Sequence, residues 1–122
     1  MIAQIRPVWL ALAVLILSPA AASARAVRAL ETFPQAETVT DGRNATYVVR
    51  FDGLVDHRQA TLTILQNGRA VRTMRPSLNA AANVLSASTP RLPPGAYQLA
   101  WSVLSVPDGD RTEGSIAFTV RR

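Results

Sequence analysis

The sequence predicts a single all-β domain, a sandwich of about seven short strands. Three observations carry this. Apolar and polar residues alternate at period two in runs of five to seven residues, Gly, Pro, Asn and Asp clusters separate the runs, and no helical periodicity follows the first 24 residues. Roughly a hundred residues remain after that leader, the size of one sandwich.

The leader itself, residues 1–24, has the three-part layout of a secretory signal peptide. Arg6 precedes an apolar run from Val8 to Leu17, and Pro19 leads into the small-residue stretch AAASA. Ala22 and Ala24 are small enough for the positions three and one before a cut, so Arg25 is expected to begin the mature domain, 25–122. The apolar run falls short of the ~20 residues of a membrane span, and no later segment is longer. Export of the domain is the expectation.

Along the mature chain the first strand is expected over 25–31 (RAVRALE), followed by a polar stretch turning at Asp41-Gly42. Residues 45–51 place Tyr47, Val49 and Phe51 on one face, and Asp52-Gly53 closes that strand. The next two strands, 60–65 and 69–74, flank Asn67-Gly68, a pair suited to the positive φ angles of a two-residue hairpin turn. Residues 76–83 read as a loop and 84–88 as a short strand, while Pro90, Pro93, Pro94 and Gly95 mark a bend. The last hairpin pairs Tyr97, Leu99, Trp101 and Val103 with Ile116, Phe118 and Val120 across the polar segment VPDGDRTEG. In this register Trp101 belongs to the core, and Met74 is a core filler.

Composition narrows the function classes. The chain lacks cysteine, which removes disulfides and thiolate metal sites. Its net charge of +5 comes from arginine alone, and the arginines are scattered instead of being clustered with aromatics as on a nucleic-acid surface. There is no HExxH, no Gly-rich phosphate loop and no nucleophile motif, so the chain does not read as an enzyme. His57, the single histidine, sits in the polar sequence Val55-Asp56-His57-Arg58 and reads as a surface loop residue.

From Leu92 onward the pattern LPxGxYxxxWxVxSxxDGxxxxGxxxFxV resembles the C-terminal half of the CopC-like periplasmic copper-binding proteins, and VVRFDGLVDHRQATLTI is similar to that family's strand, acidic turn and strand. The resemblance implies an immunoglobulin-type sandwich in the periplasm. It also implies a Cu(II) ion held by an N-terminal histidine together with the Asp and His of a D-x-H turn. Here that turn reads Asp108-Gly109-Asp110 and the chain would begin at Arg25. The site so implied is degenerate: Asp108, Asp110 and the α-amine of Arg25 remain, whereas Cu(II) prefers imidazole and amine nitrogen. A second, Met-rich copper(I) site of some members has only Met74 as a counterpart in LQNGRAVRTM. Two functions stay open, copper handling with weakened Cu(II) binding and a non-metal adaptor on the same sandwich. The expected partner is a membrane protein of a copper pathway, met by a monomer that binds no nucleic acid.

Overall fold

The computed structural model describes residues 26–41, 43, 46–107 and 109–121. These form eight strands: β1 (Ala29–Phe33), β2 (Thr38–Thr40), β3 (Thr46–Phe51), β4 (Thr61–Gln66), β5 (Arg69–Met74), β6 (Val84–Ser88), β7 (Gly95–Leu104) and β8 (Arg111–Val120). A three-residue 3-10 turn, His57–Gln59, precedes β4. The expected leader, 1–24, and its cleavage point lie outside the described residues.

The strands form two sheets, ordered β1-β3-β6 and β2-β8-β7-β4-β5. Alternation within the strands places one face of each sheet against the other. Val49, Phe51 and Leu85 from the smaller sheet and Leu62, Ile64, Leu99 and Val103 from the larger one are fully buried. Trp101 is 8% exposed and meets Phe51 edge to face, with ring centroids 6.4 Å apart, as its place in the sequence pattern requires. Met74 is buried as well. Tyr97, near the start of β7, donates its hydroxyl hydrogen to the Pro93 carbonyl at 2.6 Å, the tyrosine corner found in immunoglobulin-type sandwiches.

Three expectations need adjustment. The first strand runs over 29–33 instead of 25–31, with Val27 already buried ahead of it. The polar stretch after Pro34 contains β2, a strand of three residues that pairs in parallel with the end of β8. Its brevity and the single apolar residue Val39 leave no period for sequence to reveal; the pairing comes from β8, whose Ala117 carbonyl accepts from Glu37 N at 2.7 Å. The final turn is also tighter than VPDGDRTEG suggests, because β8 begins at Arg111 and pairs with β7 without a break as far as Val120. Asn67-Gly68 makes its two-residue hairpin with φ of 53° and 78°.

Candidate metal centre

At one end of the sandwich the segment 52–56 gathers the elements on which a metal site of the expected kind depends. Arg28 N donates to the Asp52 carboxylate at 2.8 Å, and Asp52 N donates to the Arg28 carbonyl at 2.9 Å. Val27 packs so closely that a Cβ on Gly53 would meet its Cγ1 at 3.0 Å. These contacts hold the start of the described chain against the β3–β4 connection.

The turn between β7 and β8 is fastened to the same segment. Val106 N donates to Leu54 O at 3.1 Å, Asp56 N donates to Leu104 O at 3.0 Å, and Val55 bridges Ser105. The chain following residue 25 and the turn carrying residue 108 therefore share one support.

Ser105 shapes that turn from within. It is buried at 4% exposure, its amide donates to Asp110 O at 2.9 Å, its carbonyl accepts from Gly109 N at 2.7 Å, and its hydroxyl accepts from Asp110 N at 3.2 Å. Gly109 takes φ = 78°, a region in which a Cβ is strained. Ser105 was not a candidate from sequence; the signal was a lone Ser three residues before an Asp-Gly pair, the kind of hydroxyl that closes turns onto backbone amides.

Of the three expected ligand positions, Asp110 is exposed on this turn. Arg25 and Asp108 lie outside the described residues. Two residues along β8, Thr112 Oγ1 is the one buried side-chain polar atom without a partner among the described residues.

His57 is not the free loop residue that its polar neighbours suggest. Half-buried in the 3-10 turn, its Nε2 lies 3.0 Å from Ala81 O and 2.8 Å from Val84 O. Both partners only accept, so Nε2 carries the hydrogen and that nitrogen has no lone pair to offer a metal. Asp56 caps the same turn by accepting from Arg58 N. The imidazole thus clamps the loop before β6 to the β3–β4 connection.

A model of the CopC domain matches residues 29–121. The chain belongs to the CopC family. Among solved structures it is similar to CopC from Methylosinus trichosporium OB3b, at 26% identity over 79% of this chain and 94% of that one, with a TM-score of 0.72. It shares the fold of PcoC, a methionine-rich copper resistance protein from Escherichia coli, at 20% identity over 78% of this chain and 98% of that one, with a TM-score of 0.64. No protein of curated function matches the chain.

A CopC domain is associated with copper, and Cu(II) prefers imidazole and amine nitrogen. No cluster of three or more His, Cys, Asp or Glu side chains occurs among the described residues. The residue types at 25, 108 and 110 supply carboxylate oxygen and at most one amine, a set suited to harder ions, and arginine's guanidinium stays protonated.

Proposed function

We propose that this chain is an exported, periplasmic copper-handling protein of the CopC family with weakened Cu(II) binding and no catalytic activity. The donor chemistry carries the reading: Asp110 and Arg25 stand where the family pattern calls for histidines, and the one histidine of the chain has its Nε2 hydrogen engaged by two carbonyls. The partner in this reading is a membrane protein of the same pathway, which the monomeric domain meets after its signal peptide is removed at Ala24.

The shared support of the N-terminal segment and the 105–110 turn suggests a direct test. Wild-type mature protein is expected to bind Cu(II) weakly and without a tetragonal nitrogen signature in electron paramagnetic resonance. The double substitution Arg25→His and Asp110→His would provide an amine, two imidazoles and Asp108, and is expected to raise affinity by orders of magnitude. Tight nitrogen-ligated Cu(II) in the wild type would overturn the weakened site; no gain in the double variant would separate the N-terminus from the turn. The same missing imidazoles favour a second reading, a non-metal adaptor. That reading gains if the double variant binds copper tightly while the wild type, holding copper only weakly, still captures a partner.

A further inference from the structure

Charge is sharply divided in this fold. All eight acidic residues fall within 31–56 or 108–113, whereas residues 57–107, which form β4 to β7 and their connections, contain five arginines and no acid. The arginines look scattered in sequence, but the sheet aligns several of them. The β4–β5 register sets Gln66 opposite Arg69 and Ile64 opposite Arg72, with Arg75 following Met74 at the far end. The bulge between Ile64 and Leu65 keeps Arg69 and Arg72 on one face, while Arg75, next to buried Met74, turns to the other, so the three mark both sides of β5, an outer strand of the larger sheet, over about 20 Å at ~3.3 Å per residue.

The ion pairs lie elsewhere: Arg43 meets Asp41 and Arg50 meets Glu31, and none of Arg58, Arg69, Arg72, Arg75 and Arg91 forms one among the described residues. Arg72 donates to the Val71 carbonyl and lies near the Tyr47 phenol.

We propose that the β5 margin of the sandwich docks an acidic polypeptide segment of a partner protein, with Arg69, Arg72 and Arg75 meeting its carboxylates. Charge complementarity names the occupant, since arginine forks match carboxylates and nothing on this margin neutralises them. A nucleic acid would need exposed aromatics for stacking, and both tyrosines here, Tyr47 and Tyr97, are buried. An anionic membrane would need apolar residues beside the cations. Of the exposed large apolar side chains, Leu30, Phe33 and Val39 lie on β1 and β2, away from β5, Leu54 and Val106 lie by the β7–β8 turn, and Leu78 alone follows the Arg75 end. The inference is independent of copper occupancy.

The test is fluorescence anisotropy of a labelled oligoglutamate peptide with the mature protein at low salt. Arg69→Gln/Arg72→Gln/Arg75→Gln is expected to weaken binding about tenfold. A control with the same charge change elsewhere, Arg28→Gln/Arg43→Gln/Arg121→Gln, is expected to weaken it less than about twofold. Because Arg72 is half-buried, Arg69→Gln/Arg75→Gln provides a second variant that spares it, with a loss of about fourfold expected. Equal loss in the margin and control variants would reduce the effect to net charge and overturn the proposal. Tighter binding of phosphatidylglycerol vesicles or single-stranded DNA than of the peptide, lost with the same arginines, would overturn it in favour of lipid or nucleic acid. Copper titration of each variant keeps the outcome separate from that of the metal site.

Discussion

Gly114 on β8 lies opposite Trp101 on β7, and a Cβ at residue 114 would come within 2.6 Å of the indole Cζ2. The largest core side chain is therefore seated against a position where any other residue would collide with it. Gly114→Ala should force the ring or the strand to shift and cost about 1–3 kcal/mol. Urea unfolding measures it, and an unchanged midpoint would mean that the indole has room to move.

Trp101 itself fills the space between the sheets beside Phe51. Its truncation to Ala is expected to cost about 3–5 kcal/mol, a large share of the stability of so small a domain. A melting temperature within a degree or so of wild type would contradict the core assignment.

The His57 clamp predicts a specific tautomer. In the neutral ring the hydrogen resides on Nε2, and nitrogen chemical shifts of the imidazole should report that form. His57→Ala leaves the Ala81 and Val84 carbonyls without their donor and is expected to cost about 1–2 kcal/mol, with faster hydrogen exchange in residues 81–84. Equal populations of the two tautomers would argue against the clamp.

Alkaline titration addresses Tyr47. Burial, reinforced by neighbouring Tyr97 and opposed by Arg72, raises its pKa above the ordinary 10.0. Below that value both states keep the proton and nothing changes; above it the unfolded chain ionises first and binds fewer protons than the fold. Stability should therefore fall as pH climbs through 10.0 toward the raised value. Tyr47→Phe removes the group, so its unfolding free energy should decline less steeply over the same range. Parallel curves for the two proteins would show that Tyr47 is not the cause.

The strongly periodic parts of the fold were legible in the sequence. Tyr97 to Val103 and Ile116 to Val120 announce their hairpin through alternation, and Asn67-Gly68 announces its turn through backbone chemistry. What stayed hidden depends on other parts of the chain. β2 has too few residues for a period and exists because β8 offers it an edge. His57 looked solvated because its neighbours Asp56 and Arg58 are charged, while its true partners, the carbonyls of Ala81 and Val84, are more than twenty residues away. At the candidate metal centre the residue types at 25, 108 and 110 could be read directly. The role of Ser105 and the shared anchoring on 52–56 could not, because both rest on backbone amides and carbonyls of distant segments, with only the Ser105 hydroxyl and the Asp52 carboxylate contributing from side chains.

The short parallel pairing of Thr38–Thr40 with Phe118–Val120 joins the chain's early residues to its last strand. The chain leaves the smaller sheet after Phe33 and crosses to the larger one, so its first two strands are shared between layers. Such a closure waits for β8, because the edge that receives β2 is supplied by the last ten residues of strand. Phe118 and Val120 therefore enter the core through the most sequence-distant contacts of the fold. Loss of that final strand would remove much more than a terminus: it would take away the edge that holds β2 and two side chains of the core.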